Sequence, residues 1–189
     1  MLHHKRNWLG GFTFIETVIT IALFIVLVLG VSQLYIVFGR VINQQSSTIG
    51  VTLGGSAIMD AVRTAGLQAG HVVAMHTFSG VNHISGSTTA LFELPSIDGS
   101  GAIIVNTYDY IGIYATGTSA YRVIDGAAGS SRVSGKKLLT NALDALNFTY
   151  DAPSFPSVTN FIVDATTSAV TQGQTAQTHL REHIYLRNL

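Results

Sequence analysis

The sequence predicts an α+β fold, a long N-terminal helix carrying a small antiparallel β-sheet, and three observations predict it. Thr17–Gly39 is a run of 23 residues without a charged side chain. Beyond it Ile49, Leu53, Ala57 and Ala61 recur every four residues, with Ile58, Val62 and Ala65 beside them, which is the pattern of an amphipathic helix. After Gly70 the chain changes to short β-rich runs separated by Gly, Ser, Asn and Pro.

At 189 residues there is room for one modest globular domain plus an anchor. Ten basic and ten acidic residues balance, and no Lys/Arg block forms a stripe, so no nucleic-acid partner is expected. Cysteine is absent, which removes disulfides, a thiolate nucleophile and cysteine metal sites together.

The first segment, residues 1–11, is short and carries Lys5 and Arg6. A secretory signal peptide places its small residues behind the apolar stretch. Here Gly10 and Gly11 come before it, and the candidates behind it, around Gly30 and Ser32, show no A-x-A pattern. Residues 12–40 form the second segment. Its charge-free run would be about 34 Å long as a helix, enough for a bilayer core of about 30 Å. A buried core helix is the alternative, but the rest of the chain could hardly enclose it while also building a domain. Lys5 and Arg6 on one side, against Arg40 on the other, place the N-terminus in the cytoplasm.

Residues 41–70 continue the helix. Gly50, Gly54 and Gly55 each weaken it by about 1 kcal/mol relative to alanine, and Gly66 and Gly70 read as stops. The expectation is one imperfect helix from about Phe12 to about Leu67, flexible near Gly39 and Gly50–Gly55. Residues 71–189 form the β-rich domain. Strands are expected at Val72–His76, Ala90–Leu94, Ile103–Val105, Tyr108–Tyr114, Ala120–Ile124, Asn147–Asp151, Asn160–Asp164 and His179–Leu186. Gly117-Thr118-Ser119 reads as a hairpin loop, and Leu138–Leu146 as a short helix or an irregular run. So small a sheet needs a cover, and the second half of the helix supplies it.

Gly11-Phe12-Thr13-Phe14-Ile15-Glu16, followed at once by the apolar run, closely resembles the cleavage and methylation motif of the type IV prepilin and pseudopilin superfamily. The resemblance implies that a prepilin peptidase cuts between Gly11 and Phe12 and methylates the new amine of Phe12. Glu16 then becomes the glutamate at the fifth mature position, which meets the amino terminus of a neighbouring subunit during filament assembly. The implied partners are that peptidase, other pilin subunits, the inner membrane and the pilus assembly machinery. The implied location is a single-pass cytoplasmic-membrane protein that moves into an extracellular or periplasmic filament. Physics gives Glu16 a matching reason to exist: a carboxylate about 7 Å into a membrane helix is costly and needs a partner, and within one subunit the nearest cation is the amino terminus that cleavage would create. The plainer role is a glutamate snorkelling to water at the headgroups. No proline interrupts the apolar half and no C-terminal disulfide is possible, two departures from many family members. Ala61–Gly66, Leu138-Leu139, Leu146–Tyr150 and Tyr185–Asn188 are similar, more loosely, to minor pilins and pseudopilins.

Other motifs lead away from catalysis. His179-Leu-Arg-Glu-His183 matches the H-x-x-E-H pattern of inverted zinc proteases, whose chemistry needs a helix with both histidines on one face. Here the segment reads as a strand, with His179, Arg181 and His183 on one face and Glu182 on the other. His71, His76 and His83 read as surface or turn histidines. Asp98, Asp109 and Asp125 invite comparison with the calcium loops of some pseudopilins, but lack the twelve-residue EF-hand spacing, and Asp98-Gly99-Ser100-Gly101 is first a turn. Tyr108, Tyr110 and Tyr114 share one strand face, explained by cross-strand packing or, alternatively, by an exposed adhesive surface. No phosphate loop or Ser-His-Asp arrangement is legible. The expectation is therefore a structural subunit and not an enzyme, with no catalytic, cofactor-binding or metal-binding residues. The rival is a membrane-anchored, adhesin-like binding domain that does not polymerise.

Overall fold

The computed structural model describes residues 13–187. The chain divides after Asn43 into two units, Met1–Asn43 and Gln44–Leu189. One helix, α1 (Phe14–Gln68), contributes to both. The α+β expectation holds.

In the first unit every side chain from Thr13 to Asn43 is exposed. This is the one helix among the described residues that is long and apolar enough to cross a membrane. Its helical threonine and serine hydroxyls are satisfied within the helix, as suits a bilayer: Thr17 donates to the Thr13 carbonyl at 3.3 Å, Thr20 to that of Glu16 at 2.7 Å and Ser32 to that of Val28 at 2.8 Å. An all-round apolar surface of this kind is stable only when something apolar surrounds it.

The second unit holds the rest of α1 and ten strands: β1 (His71–Val72), β2 (Met75–Phe78), β3 (Val81–Ile84), β4 (Thr89–Ile97), β5 (Ile103–Thr116), β6 (Ser119–Asp125), β7 (Gly135–Thr140), β8 (Leu143–Tyr150), β9 (Asn160–Thr171) and β10 (Gln174–Tyr185). They form an antiparallel five-stranded sheet in the order β1-β4-β5-β6-β7, a three-stranded sheet β10-β9-β8, and the hairpin β2-β3. The main core is one cluster. Ile58, Val62 and Ala65 of α1 meet Phe92, Leu94 and Ile113 from the larger sheet and Phe148, Phe161 and Val163 from the smaller. Polar ties support this packing. Thr167 donates to the Val51 carbonyl at 2.8 Å in the interior, and Arg63 grips Glu182 through two hydrogen bonds at 2.6 and 2.9 Å.

The face of the helix that meets the sheets keeps Ile58, Ala61, Val62 and Ala65 of the expected stripe but not its N-terminal members. Ile49 and Leu53 are exposed, at 58% and 64%. The buried face is instead Val51, Gly54, Gly55, Ile58, Met59, Ala61, Val62, Ala65 and Gly66. Glycine sets this face because the sheets come in close. A Cβ on Gly54 would collide with Thr140, one on Gly55 would lie 3.1 Å from Leu180 Cδ1, and one on Gly66 would lie 2.7 Å from Ile184 Cγ2. Gly66 is thus a packing position inside the helix and not its stop. Gly39, Gly50, Gly54 and Gly55 all lie within unbroken α-helix.

Several strand boundaries also move. Ile103–Val105 and Tyr108–Tyr114 are parts of one 14-residue strand, β5. Val72–His76 splits between β1 and β2. Leu138–Leu146 is neither helical nor irregular: it ends β7 and begins β8, where the chain leaves one sheet for the other. Gly117-Thr118 is a two-residue loop between the paired Thr116 and Ser119, with Gly117 at φ +56°, as its hairpin role demands.

The division after Asn43 carries an expected outcome. A fragment beginning at Gln44 keeps the packed face of α1 and all ten strands, and is expected to fold as a soluble monomer. Circular dichroism should show mixed α and β content, and size exclusion a monomer; a disordered fragment would contradict the separation of anchor and domain.

Candidate functional site

Gly11 and Phe12, the residues expected to flank the cleaved bond, lie outside the described residues. The description begins at Thr13, and the first three helical residues explain how the helix starts. The Thr13 N–H donates to Glu16 Oε2 at 3.0 Å, the Thr13 hydroxyl donates to the same oxygen at 3.1 Å, and the Glu16 N–H donates to Thr13 Oγ1 at 3.3 Å. Thr13 and Glu16 form a capping box, each side chain serving the other's backbone N–H. Two of the helix's otherwise unpaired first N–H groups are satisfied. Glu16 also places negative charge in the first turn, where the helix dipole favours it. Both side-chain bonds fall on Oε2; Oε1 accepts no hydrogen bond among the described residues. The carboxylate therefore has one oxygen engaged by the cap and one able to meet a cation.

This pairing was readable in the sequence as T-x-x-E ahead of an apolar run, a signal that the family resemblance overshadows. It adds a second local role for Glu16, beside the snorkelling one. A cap needs only a residue that accepts at this position, so capping alone does not require a charge.

The other candidate motifs separate in space and in role. In β10, His179, Arg181 and His183 lie on the more exposed face while Glu182 turns to Arg63 of α1. His179 approaches Asp164 at 3.5 Å and His183 bonds Asn160 at 2.6 Å. This is the expected strand geometry, and the glutamate faces away from the histidines. Asp98, Asp109 and Asp125 do not share a site. Asp98 closes its own turn through the Ser100 and Ala102 N–H groups, at 2.8 and 2.9 Å. Asp125 pairs with His76 at 2.9 Å, and Asp109 lies buried against Arg132 at 2.6 Å. Among the described residues no three His, Asp or Glu groups are placed to hold a metal.

The tyrosine face of β5 is only partly open. The β2–β3 hairpin seats Phe78 over Gly112, whose added Cβ would lie 3.1 Å from the Phe78 ring. On that hairpin His76 and His83 are cross-strand partners. The His76 ring stacks on Tyr110 at 3.8 Å, and His83 lies 4.4 Å from Tyr114. They are strand residues under an aromatic roof, not turn histidines. Burial, then the charge of Lys136, pushes the His83 imidazole below its ordinary pKa. Lys136 itself sits 3.9 Å above the Tyr121 ring. Burial pushes Tyr110 up to about 12, helped by its hydrogen bond to Glu93. Cross-strand packing thus accounts for Tyr110 and Tyr114, while Tyr108 stays 46% exposed. No family model, curated protein or solved structure matches this chain, so no function comes to it from a relative.

Proposed function

We propose that the chain is a type IV pilin-like structural subunit, cut by a prepilin peptidase after Gly11, N-methylated at Phe12 and packed into a filament or pseudopilus. One observation carries this reading above the rest. A helix that is apolar and exposed on every side begins at a capped carboxylate, Glu16, three residues behind Thr13 and five behind Gly11. A simple anchor has no need of a carboxylate in its membrane layer. A subunit that must find its axial position against a neighbour gains from a buried charge, because such pairs fix register better than they add stability.

The rest of the molecule supports the same reading. The second unit has its own core, and the apolar helix of the first unit needs other apolar surface around it. In the membrane that surface is lipid; in a filament it is the same helix of other subunits. Identical subunits joined head to tail without closing a ring form a filament. The positive-inside bias of Lys5 and Arg6 favours a cytoplasmic N-terminus, where the peptidase acts. The subunit needs no cofactor and performs no catalysis. The rival reading, a tethered adhesin-like domain, is favoured only by the exposed Tyr108 at the edge of the aromatic face.

The mature protein is expected to begin at Phe12 with a methylated amine. N-terminal mass analysis of protein from the native host, together with imaging of sheared surface filaments, tests this. A terminus near Ser32, or an intact Met1 leader on exported protein, would overturn it. Gly11→Leu should leave uncleaved precursor in the membrane, whereas Gly11→Ala should be largely tolerated.

A further inference from the structure

Arg122 on β6 and Lys137 on β7 are register partners, so both side chains leave the sheet on the same face. That face is turned toward α1: Ala120 and Ile124, two residues to either side of Arg122, pack against the core that α1 shares. Between helix and sheet lies a groove of about 290 Å³, lined on the helix side by Ala57, Asp60, Ala61 and Thr64 and on the sheet side by Arg122, Lys137 and two leucines. Alanine at two of the helix positions keeps the groove open. The Arg122 Nε is buried and has no hydrogen-bond partner among the described residues.

The charges in the groove are not balanced. Arg63, Arg132 and Arg181 each face a carboxylate, but neither Arg122 nor Lys137 forms an ion pair among the described residues. The one acid on the rim, Asp60, points to Arg63 at 3.3 Å with a side chain 71% exposed. Two like charges directly opposite each other on neighbouring strands repel, and a buried N–H without an acceptor is unfavourable. An anion with several acceptor oxygens removes the first defect, and it removes the second once the Arg122 side chain turns, since its Nε has almost no surface open to the groove. A guanidinium fork suits two oxygens of a carboxylate or phosphate, and an adjoining ammonium supplies a second positive charge that favours a dianion.

We propose that Arg122 and Lys137 form a binding site for a tetrahedral oxyanion, a phosphate or sulfate group, in the groove between α1 and the β6–β7 edge. The inference stands on this unit alone and does not rest on the filament reading. The group could be a free ion or the end of a larger phosphate ester, and the same experiment separates the two. The full chain, ¹⁵N-labelled in maltoside micelles, is titrated with inorganic phosphate, sulfate and glycerol 1-phosphate while the Arg122 Nε–H resonance is followed. Saturable movement of that resonance is expected. Arg122→Gln and Lys137→Gln should each weaken binding at least tenfold, read from the remaining groove resonances. Lys136→Gln, whose side chain lies over the tyrosines on the opposite face, should change it less than twofold. Glycerol 1-phosphate binding as tightly as phosphate would assign the site to a phosphate ester, and a tenfold preference for the inorganic ion would assign it to free phosphate; both support the site. A shift that never saturates, or equal weakening in Lys136→Gln, would show diffuse surface charge and overturn it. So would an Arg122 Nε–H already bonded in ion-free protein and released by Asp60→Asn, since Asp60 would then be the occupant. Should Arg122→Gln fail to fold, Lys137→Gln carries the same test.

Discussion

Asp109→Ala is expected to destabilise the second unit by about 3–5 kcal/mol, the usual consequence of leaving one partner of a buried ion pair without the other. Asp109 is fully buried on β5, and Arg132, from the loop before β7, has a side chain only 14% exposed. The carboxylate gathers that loop onto the sheet. It accepts from the Ser96 hydroxyl at 2.8 Å, the Ala127 N–H at 2.8 Å, the Ser130 hydroxyl at 2.7 Å and Arg132 at 2.6 Å. Arg132 then reaches the Pro95 carbonyl at 2.7 Å and Gln68, the last residue of α1, at 3.0 Å. Removing Asp109 leaves a guanidinium, two hydroxyls and an N–H without their acceptor.

The same residue sets the response to acid. Burial pushes the Asp109 carboxyl up, but the hydrogen bonds from Ser130, Ala127, Arg132 and Ser96 outweigh it and hold it below the usual carboxylate range. A depressed folded-state pKa means stability that is present above the unfolded value, about 3.9, and lost as pH falls through the folded value. Urea unfolding measured from neutral pH downward should therefore show a larger loss of stability in the wild type than in Asp109→Ala. A variant within about 1 kcal/mol of wild type at neutral pH would mean that the loop is held by other contacts and that the network matters little.

Nothing in the sequence around Asp109 announces this network, and the reason is physical. Its partners come from residues 96, 127, 130 and 132, and only the β4–β5–β6 pairing brings them together. The features that could be read early are those with a local cause. The membrane-length helix follows from an uninterrupted apolar run, and the β5–β6 hairpin from Gly117. The strand character of His179–His183 followed from the β-rich residues beside it. Local periodicity misled at Ile49 and Leu53, where the four-residue recurrence of large side chains marked the exposed face. The packed face is built on Gly54, Gly55 and Gly66, and their role appears only against Thr140, Leu180 and Ile184 from distant strands. The Thr13–Glu16 cap is local too, written as T-x-x-E directly ahead of the apolar run. The Arg122–Lys137 pair depends on strand register and on small residues across the groove, neither of which the local pattern encodes.

Glu16→Gln is expected to lower incorporation into filaments at least tenfold while leaving cleavage after Gly11 and membrane insertion intact. Glutamine removes the charge and keeps the shape. It also keeps the cap, since Gln serves at this position of a capping box as Glu does, so the helix should still begin at Phe14. Insertion should be equal or slightly easier without a carboxylate in the apolar layer. On the proposed reading, what the variant loses is an attraction between the second carboxylate oxygen and the amine of an adjoining subunit. Breaking one side of such a buried pair typically costs about 3–5 kcal/mol, well beyond a tenfold effect. Thr13→Ala makes the opposite change. It removes the side-chain half of the cap, at a cost of about 0.5–2 kcal/mol to the helix start, and leaves the charge in place. Scoring cleaved subunit in the membrane and subunit in sheared filaments for both variants separates the two roles. Loss of incorporation with Glu16→Gln and its retention with Thr13→Ala assigns the carboxylate to assembly. Wild-type incorporation of Glu16→Gln, with a defect in Thr13→Ala, would reduce Glu16 to a helix cap and remove the main support for the filament reading.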